Sequence, residues 1–142
     1  MKKIFLFSDT HRNFTLIESV RHIMAECDHI IHLGDYVSDV APLKGALGEK
    51  LITVRGNGDI LSLSCPDERE ITIDGVKIFL THGHRYNVKK TLQNIAEEAL
   101  KRECAAAFYG HTHIADITEH CGVKLINPGS FHAPHSGVCS YC

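Results

Sequence analysis

The stretch "REITIDGVKIFLTHG" (Arg69–Gly83) decides which class of fold this sequence adopts. Two short runs rich in β-branched residues flank Asp74-Gly75, a dipeptide typical of two-residue hairpin turns. A second pair of such runs flanks Cys121-Gly122. Antiparallel hairpins are therefore predicted in the back half of the chain.

The front half has a different pattern, in which strands alternate with a helix. Three short apolar runs end in polar residues or glycine: "KKIFLFS", "HIIHLG" and "KLITVRG". Between the first two, Phe14, Ile17, Val20 and Met24 recur at helical spacing after Asn13, a residue suited to an N-cap. Such alternation is typical of βαβ units.

A second helix is predicted from Val88 to about Glu103, with Asn87 as its N-cap, because apolar residues again recur at helical spacing. It lies between two further predicted strands, "VKIFLTHG" and "CAAAFYG". Parallel units in front and hairpins behind favour two packed sheets with helices outside over one doubly wound sheet. The predicted class is α/β (α+β), in one domain over residues 1–142.

The composition is ordinary for a soluble globular protein, with 44% hydrophobic and 23% charged residues. A net charge of -2 gives no sign of an electrostatic grip on nucleic acid. No apolar run approaches the roughly 20 residues of a transmembrane helix. The opening "MKKIFLFSDTHRN" has too short an apolar part for a signal peptide and is interpreted as the first strand. Six cysteines without paired C-x-x-C units indicate reduced thiols and a cytoplasmic location.

Polar side chains with metal-binding chemistry follow five predicted strands, at the point where each strand ends. They are Asp9 and His11 in "SDTH", Asp35 in "LGD", Asn57 and Asp59 in "RGNGD", His82 and His84 in "THGH", and His111 and His113 in "GHTH". Because the carboxyl ends of strands in α/β sheets meet at one crevice, we expect these side chains to lie close together. Glycines at the same exits allow the backbone to bend sharply or to approach an ion.

Each of these motifs has a plainer explanation when it is taken alone. A D-x-H or GNGD motif is usually a solvated turn, and an aspartate after glycine commonly caps a helix. Carboxylate, imidazole and amide groups together at five strand ends instead favour divalent Mn, Fe or Zn. Seven ligands from among these nine side chains would exceed the needs of one tetrahedral ion, so a dinuclear site with one bridging carboxylate is predicted.

Six ordered motifs from Phe7 to Ser130 carry a resemblance to a known family. They are "FSDTH", "LGD", "VRGNGD", "LTHGHRYNV", "YGHTH" and "INPGS". With these motifs the sequence resembles the calcineurin-like metallophosphoesterases, and most of all the small single-domain YfcE-type phosphodiesterases. The resemblance implies a four-layer αββα sandwich of two mixed β-sheets flanked by helices, and hydrolysis of a small phosphoester, above all a phosphodiester.

The resemblance also implies which residues hold metal. One ion would be held by Asp9, His11, Asp35 and His113, and the second by Asp35, Asn57, His82 and His111, so that Asp35 bridges the two. Manganese is the first expectation for both, with zinc, iron(II) or nickel as alternatives. A hydroxide shared by the ions would attack phosphorus in line. The expected catalytic residues are Asp35, Asn57 and His84, and the expected substrate contacts are Arg12, Asn57 and His84, although His84 could instead support the ligands from behind.

The sequence departs from the family pattern at three places. Many relatives carry a histidine that protonates the leaving group where this chain has Gly58, although YfcE-type members often lack it too. Arg12 replaces a glycine and could either bind a phosphate or obstruct the cleft. The chain ends in "GVCSYC", where relatives usually continue through a longer strand, so the final strand stays open.

Other functions stay open at the level of sequence. The main alternative is a protein-binding scaffold of the same fold; such relatives tend to lose ligands, whereas this chain keeps all seven. A nuclease is disfavoured, because the chain has neither a basic stripe nor the length for a capping domain. The substrate's identity and the oligomeric state, a homo-oligomer included, stay open, and no membrane or nucleic-acid partner is expected.

Overall fold

The computed structural model describes residues 1–132 and 138–142. Within those residues, eight strands and three α-helices alternate along the chain, with short 3₁₀ segments after the second strand, before the third and after the fifth. In chain order they are β1 (Ile4–Phe7), α1 (Phe14–Ala25), β2 (His29–His32), α2 (Lys44–Leu47), β3 (Leu51–Thr53), β4 (Glu68–Ile73), β5 (Val76–Thr81), α3 (Gln93–Lys101), β6 (Ala106–Phe108), β7 (Ala115–His120) and β8 (Val123–Pro128).

The strands form two sheets, as the mixture of patterns predicts. The smaller sheet has the order β1-β2-β3, and both of its strand pairs are parallel. The larger sheet has the order β4-β5-β6-β8-β7, with parallel pairs in the middle and an antiparallel hairpin at each edge. The two hairpins turn at the predicted dipeptides, where Asp74 and Cys121 have φ of 48° and 53°. Positive φ there fits the twist of a two-residue hairpin.

Three apolar clusters separate the four layers of the structure. The first lies between α1 and the small sheet, and includes Phe5, Ile17 and Met24. The second joins the facing sides of the two sheets, where Leu6, Ile31, Leu80 and Phe108 meet. The third packs α3 onto the outer face of the large sheet through Ile95 and Ala99. The four-layer αββα arrangement is therefore confirmed.

Of the two predicted helix N-caps, one is correct and one is wrong. The side chain of Asn13 accepts a hydrogen bond from the Leu16 N–H at 3.2 Å and caps α1. Asn87 does not cap the second long helix, because its φ of 57° is left-handed and its carbonyl accepts from Lys90 and Thr91 in a turn. The helix α3 begins only at Gln93, whose N–H bonds the Thr91 hydroxyl at 3.1 Å.

The described end of the chain runs against β1. Leu6 and Cys142 exchange two backbone hydrogen bonds, of 2.7 and 2.9 Å, which is an antiparallel pairing. The small sheet is thus parallel in its three strands and gains one antiparallel pair at its β1 edge. Tyr141 supports this placement by stacking on Phe5 at 4.7 Å between ring centroids.

Within residues 1–132 and 138–142, none of the helices combines the length and the apolar character required to span a bilayer.

Candidate metal centre

The predicted ligands come together at one edge of the two packed sheets, where strands of both sheets end. Asp9 and His11 follow β1, and Asp35 follows β2 by three residues. His113 lies in the loop between β6 and β7. One donor atom from each of these four side chains lies within 4.8 Å of the other three. These four are the set that the sequence resemblance implies for one ion.

Asp9 makes two short polar contacts in this cluster. Asp9 Oδ1 lies 3.1 Å from His113 Nε2, and the Ser8 hydroxyl donates to Asp9 Oδ2 at 2.6 Å. Burial raises the pKa of the Asp9 carboxyl, but its contacts with His113, His82 and Ser8 outweigh burial and lower the pKa. Asp9 is therefore an ionised carboxylate with no exposed surface, a costly state without a compensating cation.

His82 brings a buried ring nitrogen next to two carboxylates of this cluster. Its Nδ1–H donates to the carbonyl of Leu33 at 2.8 Å, which assigns the proton to that nitrogen. The other ring nitrogen, Nε2, faces Asp35 Oδ2 at 3.5 Å and Asp9 Oδ1 at 3.9 Å. Burial lowers the pKa of His82, but the two carboxylates outweigh burial and raise it. This nitrogen and the two carboxylates together form a set of donors that could bind one divalent cation.

Three buried imidazole nitrogens at this edge have no hydrogen-bond partner among the residues the structure describes: His11 Nε2, His82 Nε2 and His84 Nδ1. Buried polar atoms without a partner are rare, and an ion that satisfies them is one accepted reason. The donor set of carboxylate oxygens and neutral imidazole nitrogens suits Mn, Fe or Zn. The residues present therefore fit divalent metal.

Besides Asp35, the second predicted group of ligands consists of the buried His82, the half-buried His111 and the exposed Asn57. The rings of His82 and His111 lie 5.1 Å apart, and burial lowers the pKa of His111 to about 4, so its ring is neutral at pH 7. Asn57 is exposed in the loop after β3. Its neighbour Gly58 donates a backbone N–H to Asp35 Oδ1 at 2.7 Å, which places this loop against the predicted bridging carboxylate.

Backbone strain concentrates at the same edge. Of the eleven non-glycine residues with positive φ in the described chain, seven lie here, with φ from 41° to 69°: Asp9, His11, Arg12, Asp35, Tyr36, His111 and His113. Left-handed backbone is unfavourable for side chains larger than glycine and concentrates at functional sites. Five of the seven predicted ligands are held in this way.

Glycines allow the loops to approach one another closely. A Cβ on Gly110 would collide with the Ser8 hydroxyl, and one on Gly56 would collide with Asp35. At Gly34, with φ of 100°, a Cβ would lie 2.9 Å from His82 Nδ1. All three positions require glycine for space, and Gly34 also requires it for its positive φ.

Several supporting residues were not singled out from the sequence. Asp39 is buried and accepts from the Thr10 hydroxyl at 2.8 Å and from the Arg12 N–H at 2.7 Å, which ties down the loop between Asp9 and His11. His32 is fully buried, accepts from the Gly34 N–H at 3.2 Å and lies 3.3 Å from the Thr10 hydroxyl. No local pattern distinguishes an aspartate in a 3₁₀ segment or a histidine in a strand, so these roles depend on tertiary contacts.

Other polar residues of the motifs stabilise loops by hydrogen bonds. Asn127 donates its amide to the Gly110 carbonyl and to the Thr112 hydroxyl, each at 3.0 Å. Asp59, which the sequence placed among the polar clusters, accepts from the Val37 and Gly56 N–H groups, each at 2.9 Å. Its carboxylate is thus used within the loops and not offered to an ion.

The two predicted substrate contacts outside the ligand set lie at the rim. The Arg12 guanidinium lies over the Tyr36 ring at 5.6 Å, and that ring packs against His11 at 4.8 Å. The half-buried His84 ring lies 5.5 Å from His82 and 6.1 Å from His111, and burial lowers its pKa.

Two cavities of the described chain lie near these loops. The larger, of about 820 Å³, lies over the free edge of β3, and its walls contain none of the predicted ligands. The smaller, of about 400 Å³, has Thr112 in its wall, directly between His111 and His113. The lining of the smaller cavity also contains none of the predicted ligands, but Thr112 places it beside the turn that carries two of them.

Comparisons with known proteins agree with this geometry. A probable metallophosphoesterase of Bacillus subtilis is 35% identical over 133 residues, which cover 92% of this chain and 76% of the relative. A phosphodiesterase of Methanocaldococcus jannaschii is 32% identical over 144 residues, covering 89% and 82%. A solved structure of a predicted phosphoesterase from Streptococcus pneumoniae superposes with a TM-score of 0.82 at 27% identity, covering 99% and 80%.

One further solved structure shares the fold alone. Vps29 of Chaetomium thermophilum superposes with a TM-score of 0.82, covering 100% of this chain and 81% of that protein, but is only 18% identical.

The family comparison covers the whole sequence. The model of the calcineurin-like phosphoesterase superfamily domain matches residues 1–142. Proteins of this family are hydrolases that bind divalent metals and act on phosphoesters. With a matching family model, metallophosphoesterase relatives and a cluster that fits divalent metal, this chain belongs to the calcineurin-like phosphoesterase superfamily and is a metallophosphoesterase.

Proposed function

We propose that this chain hydrolyses phosphodiesters with two divalent cations, manganese foremost, held at the edge where the five loops meet. The observation that carries the proposal is the cluster of Asp9, His11, Asp35 and His113, with donor atoms within 4.8 Å of one another. His82, with Nε2 turned toward Asp9 and Asp35, extends the cluster toward a second position. His111 and Asn57 would complete that second position, with Asp35 shared.

The chemistry that bound divalent cations supply is Lewis acidity, which neutralises phosphoryl oxygens and lowers the pKa of water. Residues of the chain orient the side chains that would hold these cations. The Leu33 carbonyl and the Gly58 N–H orient His82 and Asp35, respectively. Burial raises the pKa of Asp35, but His82 and the Gly58 N–H outweigh burial and lower it, so the carboxylate is ionised at neutral pH.

Arg12, Asn57 and His84 would bind and orient the phosphate. Arg12 is exposed at the rim beside His11, where a guanidinium could donate two hydrogen bonds to phosphoryl oxygens. His84 lies on the other side, near His82 and His111, and Nδ1 has no partner among the described residues. A diester held between these groups would face an attacking water on the side opposite its leaving group.

A scaffold of the same fold is the second candidate, and the donor set does not favour it. A protein that acts only by binding partners has no need for ionised, fully buried Asp9 next to His82 and His113. The likeness to Vps29 is a likeness of fold at 18% identity. Catalysis therefore explains more of the site than scaffolding does.

The test measures metal content and turnover in the same preparation. Purified protein is stripped with chelator, reloaded with Mn²⁺ and analysed for metal, then assayed with bis(p-nitrophenyl) phosphate. We expect two ions per chain and turnover that depends on manganese. One ion or none per chain would refute the dinuclear site, and two ions without turnover would favour the scaffold.

A further inference from the structure

The cavity of about 400 Å³ lies beside the GHTH turn, which carries the predicted ligands His111 and His113. Thr112 in its wall is the residue between His111 and His113. Its opposite wall is the segment 88–92, which follows the His84 loop along the chain. Both walls are thus continuations of loops that carry predicted ligands, so a substrate held at the ions would extend into this space.

The lining of this cavity is mainly apolar. Val88 and Tyr109 are buried, Leu92 is half-buried, and Ile114 is 53% exposed. An exposed isoleucine next to a half-buried leucine is a surface that gains from contact with another apolar group. The lining therefore fits an uncharged organic group better than a second phosphate.

The two hydroxyl groups of the lining already have hydrogen-bond partners within the protein. The Thr112 hydroxyl accepts from the Asn127 amide at 3.0 Å and from the Ile114 N–H at 3.2 Å. The Tyr109 hydroxyl donates to Asp116 at 3.4 Å, and burial raises the pKa of Tyr109 to about 12, so the ring stays neutral. An occupant would consequently be recognised by shape and apolar contact.

Lys89 supplies a positive charge at the mouth of the cavity. It is exposed, it makes no ion pair among the described residues, and its charge contributes to the lowered pKa of His111. A cation between an apolar cavity and a metal centre suits a molecule with a phosphate at one end and an apolar group at the other.

We propose that this cavity, the side pocket, binds the non-leaving ester group of the substrate, and that the preferred substrates are phosphodiesters with one bulky apolar or aromatic ester group. The proposal rests on the proposed phosphodiesterase function and deepens it. It predicts that such diesters are preferred over compact ones, in which the ester group is a methyl or a small polar alcohol.

The experiment compares two diesters with the same leaving group, p-nitrophenyl benzyl phosphate and p-nitrophenyl methyl phosphate, on the manganese-loaded protein. Because the leaving group is shared, the ratio of their kcat/KM values reports binding of the benzyl group. We expect a ratio of at least about 10 in favour of the benzyl ester, since each well-packed carbon contributes strongly to discrimination.

Two matched variants locate the effect. Ile114→Ser removes an apolar wall of the side pocket and should lower the benzyl-to-methyl ratio about 5-fold. Ile117→Ser changes an isoleucine of β7 that is 63% exposed and lies outside the side pocket, and should leave the ratio unchanged.

The outcomes separate the two proposals. A wild-type ratio near 1 with normal turnover of bis(p-nitrophenyl) phosphate would overturn the role proposed for the side pocket and leave the proposed function intact. An equal fall in the ratio for both variants would also overturn that role alone. No turnover of any diester after manganese loading would overturn the proposed function together with the side pocket.

Discussion

The backbone N–H of Gly58 donates a hydrogen bond to Oδ1 of Asp35 at 2.7 Å. The contact joins the loop after β3 to the carboxylate predicted to bridge two ions. It also places Gly58 directly beside the metal cluster. In the family pattern that the sequence resembles, many members have a histidine at this position that protonates the leaving group, whereas glycine has no side chain to donate a proton.

The first prediction concerns the leaving group. A nitrophenolate departs as a stable anion, whereas an alkoxide requires a proton, so kcat should fall steeply as the leaving-group pKa rises. A general acid is worth about 10²–10⁴-fold, and its absence should be visible in that slope. The measurement is a series of aryl and alkyl diesters under conditions where chemistry limits the rate.

The variant Gly58→His should make that slope shallower. Gly58 is not among the residues with positive φ, and a Cβ would lie 3.1 Å from Asp35 Oδ1, so a histidine needs only a small shift. Similar rates for alkyl and aryl diesters in the wild type would instead show that another residue donates the proton, with His84 the first candidate.

Asp35→Asn should reduce activity more than His11→Ala. A shared carboxylate serves both ions, and an amide cannot replace its charge, so we expect a loss beyond the about 10–100-fold typical of residues that only support a metal. The measurement is kcat/KM for bis(p-nitrophenyl) phosphate with metal content determined alongside. Near-normal turnover of the Asp35→Asn protein would contradict the bridging role.

Gly110→Ala should disrupt the metal cluster through sterics. The added methyl would collide with the Ser8 hydroxyl that holds Asp9, so we expect weaker manganese binding and lower activity. The control is Gly45→Ala in α2, where the methyl meets nothing within 4 Å and should stabilise the helix by up to about 1 kcal/mol. Equal manganese affinity in both variants would show that Gly110 is not needed for space.

Asp67 is expected to position two ligand-bearing loops. Its carboxylate lies 2.8 Å from the guanidinium of Arg55, before the GNGD loop, and 2.8 Å from that of Arg85, after His84. Asp67→Asn should lower kcat about 10-fold, the smaller end of the range for outer contacts of a metal site. The control Glu18→Gln breaks the exposed pair of Glu18 and Arg21 and should change nothing. The same kcat in both variants would refute the role of Asp67.

Acid should lower the free energy of unfolding of the metal-free protein, because the buried His32 resists protonation. Burial lowers the pKa of His32 from 6.5 to about 4, so between those values the unfolded chain binds the additional proton. The free energy of unfolding therefore decreases as pH falls through this window, by about 3 kcal/mol in total at 1.36 kcal/mol per pKa unit. Urea unfolding at pH 7 and pH 5 in chelator should show about 2 kcal/mol of this loss, because pH 5 lies inside the window.

His32→Gln removes the titrating ring and keeps an acceptor for the Gly34 N–H. The variant should lose less stability between pH 7 and pH 5 than the wild type. An unchanged difference would show that the acid sensitivity comes from other buried groups.

The sequence by itself determined the features that depend on local chemistry. The turn dipeptide Asp74-Gly75 favours positive φ and adopts it here, and apolar runs of strand length identify the sheets. Asn13 caps α1 because its side chain reaches a backbone N–H three residues ahead. The candidate ligands could be named because each follows a predicted strand.

Tertiary structure alone decided which of these side chains face one another and at what distance. The left-handed backbone of Asp9 and Asp35, the support from Asp39 and the late start of α3 all depend on contacts between segments far apart in the chain. Burial is likewise a property of the folded chain, and it is burial that leaves His82 Nε2 without solvent between two carboxylates. Local sequence determines where a side chain leaves a strand, whereas packing of two sheets determines what it meets.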